Sequence, residues 1–381
     1  MKSTLTNGVG CEGWMSELPD NVLLSKLSIP GTHNSMSYTC YEANIILKII
    51  SGLSKLGKDR LAELVSQIVE LKKNSELSKL GDVLPEELHP ILNCTAACQS
   101  KTLTEQLQLG ARFFDLRLNH ELKFYHGITP LGLDMQTDAM PVLDKFLEEH
   151  PGETILLRVK SENTIEETVY RERLEEEVIN KYSSRFWTWN SGYTGPGVKD
   201  EHGTVIPTLG ETRGKIVLFN SYQLSKAESY IGYRLCFYEP KSDTEVFPFT
   251  CQHLQDVFQP GSQEEKIAYV KENALAADKA TGPIYFINFV SSIDSFKLGK
   301  ITIPIPLPQA CAQLNNPEVR KMLEENIKRT AGIMVFDFLG FNEKASSYVL
   351  ELNFRFLLSY QSLLLADRRR YIPETLISGL E

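Results

Sequence analysis

No apolar stretch in this 381-residue chain is long enough to cross a bilayer, and residues 1–10 lack the basic start and apolar core of a secretory signal. The expectation is cytoplasmic synthesis, with any membrane association peripheral and any export following a route without a cleaved signal. Positive charge is not in excess either. Forty Lys and Arg against 49 Asp and Glu give a formal net charge of −9, which speaks against a nucleic-acid partner and against broad attraction to anionic lipid. The seven cysteines (Cys11, Cys40, Cys94, Cys98, Cys236, Cys251, Cys311) are odd in number and scattered, so they describe no disulfide framework. Only Cys94 and Cys98 lie close together, and without a second ligand pair they read as ordinary thiols rather than a zinc site. Internal repeats, low-complexity tracts and linkers are also missing. One domain spanning residues 1–381, acting as a monomer, is the economical expectation.

Hydrophobic residues make up 42% of the chain, enough for a sizeable core. Short apolar runs recur at Leu24 to Ile29, Arg112 to Leu118, Thr154 to Val159, Lys215 to Phe219, Pro283 to Phe289 and Ile333 to Phe338, and most end in a polar residue. Helical spacing of apolar side chains marks Met140 to Glu149, Thr168 to Lys181, Gln263 to Lys279 and Pro317 to Thr330 between them. Alternating strands and helices predict an α/β fold in which a parallel sheet closes, wholly or partly, into a barrel with its functional groups at the strands' carboxyl ends. Residues from about 41 to 99 interrupt the pattern as a helical insertion after the first strand. Ile45 to Ile50, Leu53 and Leu56 make it either a cap on the barrel rim or a lipid-facing surface. A final helical stretch, about 346–371, closes the barrel, and Arg368 to Arg370 read as a solvated end. Trp187 and Trp189, beside Phe186 and Tyr193, are either core or a second lipid contact.

The chemistry concentrates in Ser28-Ile29-Pro30-Gly31-Thr32-His33-Asn34-Ser35, Phe113-Phe114-Asp115-Leu116-Arg117 and Phe124-Tyr125-His126-Gly127. His33, Arg117 and His126 each sit at the end of an apolar run, where a strand presents its last side chain to a cleft. Two imidazoles exchange protons near neutral pH, and a guanidinium between them grips a phosphate through paired hydrogen bonds. Those are the requirements for splitting a phosphodiester.

These segments, with Trp14-Met15, Leu24 to Leu27, Gly110 to Arg112, Ile155 to Lys160, Arg213 to Leu218 and Met334 to Asp337 following in order, resemble the X-domain family of phosphatidylinositol-specific phospholipases C. The likeness is greatest to its bacterial-type, single-domain members and runs from about Trp14 to Leu358. It implies a distorted, partly open TIM-type (β/α) barrel that cleaves phosphatidylinositol in membrane surfaces through a 1,2-cyclic inositol phosphate. In that pattern His33 matches the general base, His126 the general acid, Arg117 the phosphate ligand and Asp337 the carboxylate orienting His33. Asn34 stands where an aspartate usually supports the acid, and it can orient an imidazole by a hydrogen bond but not by charge. Asp115, Lys160, Arg213, Asp256 and Phe258 match the substrate-contacting set. Calcium-dependent members carry a second acid where this chain has Arg117, and a ligand carboxylate where it has Lys160. The expectation is therefore no cofactor and no metal, with Ca2+ as the alternative. A metal-dependent glycerophosphodiesterase or phospholipase D on the same barrel, and a weakened inositide-binding module, are the competing readings.

Overall fold

The computed structural model describes residues 11–41, 51, 55, 58–73, 94–164, 166–200, 203–222, 224–226, 229–235, 252–293, 296–298, 301–303, 307–342 and 345–355. Ten strands form the main sheet: β1 (Ile29–Thr32), β2 (Phe113–Leu118), β3 (Lys123–His126), β4 (Thr129–Asp134), β5 (Thr154–Ser161), β6 (Lys215–Asn220), β7 (Tyr233–Arg234), β8 (Gln252–Gln255), β9 (Tyr285–Phe289) and β10 (Ile333–Phe336). Eight are parallel, in the order β7-β6-β5-β2-β1-β10-β9-β8. β3 and β4 form an antiparallel hairpin hung from β2 through Leu118 and Phe124. Among the described residues β7 and β8 end the ladder without pairing with each other, so the expected partly open barrel is what the chain forms.

Period-two alternation explains how one strand serves both core and site. On β2, Phe114, Leu116 and Leu118 point to the outer layer of helices, whereas Phe113 points into the barrel. Asp115 and Arg117 share the inward face with Phe113. β5 repeats the arrangement with Leu156 inside, followed on the same face by Arg158 and Lys160, in register opposite Asp115 and Arg117. Each inward face is thus apolar at its base and charged at its carboxyl end. The floor is aromatic, with the Phe113, Phe219, Tyr233 and Tyr285 rings packed together. Gly31 is required in β1 because a Cβ there would sit 2.8 Å from that of Phe113.

The helices include α1 (Lys58–Lys73), α2 (Leu103–Gln108), α3 (Met140–Glu149), α4 (Glu167–Arg173, running on as a wider turn through Asn180), α5 (Gln263–Lys279) and α6 (Pro308–Asn326). α3 and α5 have the predicted bounds. α6 starts well before the predicted Pro317: Pro308 takes the first-turn position that tolerates a missing N–H, and Pro317 lies inside the helix. α1 belongs to the expected insertion after β1, and Ile45 to Ile50, Leu53 and Leu56 lie outside the described residues. Residues 345–355 are helical and close the amino end of the barrel, where the Asn353 side chain accepts from Ser28 N at 2.8 Å and donates to Ser28 O at 2.8 Å. The remainder of the predicted 346–371 helix, with Arg368 to Arg370, lies outside the described residues. Trp187 and Trp189 are 6% and 3% exposed, so the lipid-contact alternative fails and both belong to the core. No helix among the described residues is long and apolar enough to cross a membrane.

Candidate active site

Three strand ends supply the centre. His33 follows β1 directly and Asp337 follows β10. These strands are paired, so His33 Nδ1 and Asp337 Oδ1 meet at 2.7 Å. The next residue in each case, Asn34 (φ +40°) and Phe338 (φ +49°), turns the chain through the left-handed region, a strained conformation for phenylalanine. Phe338 N donates to Cys98 O at 2.7 Å, and the Gln99 amide donates to both His33 O and Phe336 O at 2.9 Å. The segment that follows the insertion therefore clamps both strand ends.

Arg117 sits beside His33 on β2. Its Nη2 donates to His33 Nε2 at 2.7 Å, its Nε to Asp115 Oδ2 at 3.0 Å and its Nη1 to Glu162 Oε2 at 3.3 Å. Because Nε2 accepts from Arg117, the His33 proton bridges Nδ1 to Asp337, leaving Nε2 as the basic atom. Burial, reinforced by the Arg117 charge, holds the His33 pKa well below its ordinary value. Burial likewise pushes the Asp337 carboxyl well up. Neither partner favours carrying charge alone, and one proton shared across a short contact satisfies both.

Asp115 is fully buried beneath two guanidiniums. Burial raises its pKa, but Arg117 and Arg158, the latter at 3.1 Å, more than offset this and hold it far below the carboxylate range. His126 ends β3 at the hairpin turn, half-buried, its ring centroid 5.9 Å from that of His33 and nearly perpendicular to it. Its Nδ1 lies 2.8 Å from Ala96 O and so carries the proton donated there, which leaves Nε2 as the exchangeable atom. Burial and Arg117 lower its pKa too.

Lys160 is half-buried at the mouth, its pKa lowered by burial and by Arg117. Asp256 and Phe258 follow β8 at the same end of the barrel. The half-buried Asp256 has a pKa raised by burial and feels the Arg158 and Arg117 charges, while Phe258 is 53% exposed.

Two expectations need correction. Arg213 precedes β6 and therefore lies at the opposite, amino end of the barrel, where it binds Asp20 and the carbonyls of Met15, Leu18 and Gly152. Its role there is to tie down the amino-terminal segment. Asn34 does not orient His126, since the Nδ1 hydrogen bond goes to Ala96. Instead its backbone N–H donates to Asp115 at 3.2 Å, and its buried side-chain nitrogen has no hydrogen-bond partner.

Sequence reading passed over Arg158, Glu162 and Cys98. Glu162 accepts from Arg117 with one oxygen and from Gly127 N, at 2.7 Å, with the other, so it ties the guanidinium to the hairpin that carries His126. Period-two spacing along β5 could have found it, because Arg158, Lys160 and Glu162 share a face. The buried Cys98 thiol lies 3.7 Å from His126 Nδ1, a contact that no sequence spacing announces.

A buried base with its orienting carboxylate, a second imidazole against its ring and a guanidinium on its Nε2 can move a proton on and off either side of a phosphodiester. Comparisons with known proteins agree in kind. No protein-family model matches the chain. It is 27% identical over 338 residues to a 1-phosphatidylinositol phosphodiesterase of Listeria monocytogenes, covering 88% of this chain and 83% of the relative. A mouse PI-PLC X domain-containing protein 2 is 32% identical over 154 residues, 38% of this chain and 37% of that protein. The solved structure of a phosphatidylinositol-specific phospholipase C from Listeria monocytogenes shares the fold, with a TM-score of 0.61 at 24% identity over 90% of this chain and 99% of that one.

Proposed function

We propose that this chain, which belongs to the phosphatidylinositol-specific phospholipase C X-domain family, is a single catalytic barrel that cleaves phosphatidylinositol to diacylglycerol and inositol phosphate through a 1,2-cyclic phosphate. The observation that carries this reading is the pair of imidazoles whose ring centroids lie 5.9 Å apart, with Arg117 Nη2 on His33 Nε2 at 2.7 Å. The inositol 2-hydroxyl lies beside the phosphate, so its attack is intramolecular and starts with a large proximity advantage. His33 Nε2 takes the hydroxyl proton once the phosphate has drawn Arg117 Nη2 away, and Asp337 stabilises the imidazolium that forms. Arg117 then carries the charge that develops on the phosphoryl oxygens. His126 Nε2 protonates the departing diacylglycerol oxygen, with Ala96 O fixing the ring. In the second half-reaction the roles exchange: His126 takes a proton from water and His33 returns one to the 2-oxygen.

The reaction runs without a divalent ion in this reading. A hard cation such as Ca2+ would need Asp115 as an oxygen ligand, yet both Asp115 oxygens already face guanidiniums, at 3.0 Å from Arg117 and 3.1 Å from Arg158. The residues present do not fit calcium. The same pairing disfavours the metal-dependent phosphodiesterase reading. Ile128, 64% exposed two residues after His126, and Phe258, 53% exposed just past β8 at the same end of the barrel, put apolar side chains where a lipid surface would lie, which supports peripheral membrane contact. The test is phosphorus NMR of products from phosphatidylinositol in mixed micelles with excess chelator. A cyclic inositol phosphate that forms first and then decays is expected, and product that appears only when Ca2+ is added would overturn the metal-free mechanism.

A further inference from the structure

We propose that His33, Cys98, Asp337 and His126 form a binding site for a thiophilic divalent cation of the zinc class, and that its occupancy shuts the enzyme off. One ligand atom each from His33, Cys98 and Asp337 lies within 4.8 Å of the other two, and all three side chains are buried. Cys98 Sγ is also 3.7 Å from His126 Nδ1. Zinc bonds of about 2.0–2.3 Å place neighbouring ligand atoms of a tetrahedral site roughly 3.3–3.8 Å apart. The sulfur–imidazole pair already has that spacing, and the His33, Cys98 and Asp337 atoms, within 4.8 Å of one another, come near it. The thiol is held in place because Cys98 N donates to Ser37 Oγ at 2.9 Å and Cys98 O accepts from Phe338 N.

The donor set chooses the ion. One sulfur and two imidazoles favour Zn2+, Co2+ or Cd2+ over Ca2+ or Mg2+, and the thiolate and carboxylate together cancel a charge of two. On binding, Cys98 releases its thiol proton to solvent, and the imidazole protons on the two Nδ1 atoms move to Nε2. For His33 that is the decisive change. Nε2 now bears a proton, faces the Arg117 donor unfavourably and has no lone pair for the inositol hydroxyl. Binding rests on geometry alone, whereas the inhibition rests on the proposed reaction.

The experiment uses the full chain, kept reduced and loaded with one equivalent of Co2+. A near-ultraviolet thiolate-to-cobalt charge-transfer band with the strong visible absorption of tetrahedral cobalt is expected. Both should vanish in Cys98→Ser and Cys98→Ala and persist in Cys94→Ser. X-ray absorption of zinc-loaded wild-type protein, which needs no variant, should show one Zn–S bond at about 2.3 Å. Zinc should abolish phosphatidylinositol turnover reversibly with chelator, and the Cys98 variants should need at least about tenfold more, since loss of even an outer-shell partner costs that much. A zinc shell without sulfur, or a cobalt band of full intensity in both Cys98 variants, rejects the site. A Cys98-dependent band with undiminished turnover in zinc rejects the inhibition alone. Wild-type protein inactive on phosphatidylinositol without metal counts against the proposed function, and the spectra still judge the site.

Discussion

Replacing Arg117 by lysine keeps one positive charge and removes a geometry. The guanidinium spends one donor on Asp115, one on Glu162 and one on His33 Nε2, which leaves one N–H on each terminal nitrogen to grip a phosphate. A lysine ammonium is a single point with three donors. It can satisfy Asp115 or reach the phosphate, but it cannot hold the fork. The loss falls on charge that develops in the transition state, where removing one such donor costs about 2.7–4 kcal/mol, or about 10²–10³ in kcat. Folding should survive, because Asp115 keeps Arg158 at 3.1 Å and the Asn34 amide at 3.2 Å. The assay is initial-rate hydrolysis of phosphatidylinositol in mixed micelles with chelator, with thermal melting run alongside. We expect kcat to fall by that factor, with a small change in KM and a melting temperature within a few degrees of wild type. More than about a tenth of wild-type kcat in a folded Arg117→Lys protein would refute the assignment of Arg117 to transition-state charge.

Glu162→Gln, which can still accept from Gly127 N but no longer balances Arg117, should lower kcat by up to about 10²-fold, the loss a small misplacement brings. Turnover unchanged within twofold would show that the Arg117–Glu162–Gly127 bridge does not position the two catalytic groups. Burial and Arg117 lower both imidazole pKa values below the ordinary value of about 6.5, so the optimum of kcat/KM, set by neutral His33 and protonated His126, should lie on the acid side of it. A bound phosphodiester anion raises the His126 pKa, so the alkaline limb of kcat should lie above that of kcat/KM, and a kcat/KM optimum above about pH 8 would contradict the assignment. Ile128→Ser should weaken vesicle partitioning about tenfold, yet spare water-soluble substrate and melting temperature, since the side chain is exposed. Unaltered partitioning would remove the rim contact.

The carboxyl ends of the strands were legible because an apolar run that stops at a polar residue states both where a strand lies and which residue it delivers. His33, Arg117 and His126 were found that way, Asp337 through the family resemblance, and all four do converge. Arg213 was not, because its run begins rather than ends there, and direction along a parallel strand decides which mouth a residue serves. The run ending in His126 marked β3, but its hairpin partner β4 escaped notice because Leu131 is its only buried side chain, which leaves too little apolar alternation to signal a strand. What holds His126 was invisible for a different reason. The Ala96 carbonyl and the Cys98 thiol come from the segment after the insertion, and only tertiary packing brings that segment to the hairpin. Asn34 shows the converse, since its place in a motif invited a role beside His126 that the backbone turn at φ +40° does not provide.

Whether His33 and His126 divide the work as base and acid is tested most directly by pairing each alanine variant with two substrates. One releases diacylglycerol and the other an aryl alcohol acidic enough to leave unprotonated. His33→Ala should lose at least about a hundredfold on both, the usual contribution of a positioned base. His126→Ala should lose as much with the lipid but at most a few-fold with the aryl ester. Equal losses on the two substrates in His126→Ala, with the fold intact by circular dichroism, would contradict the two-histidine account.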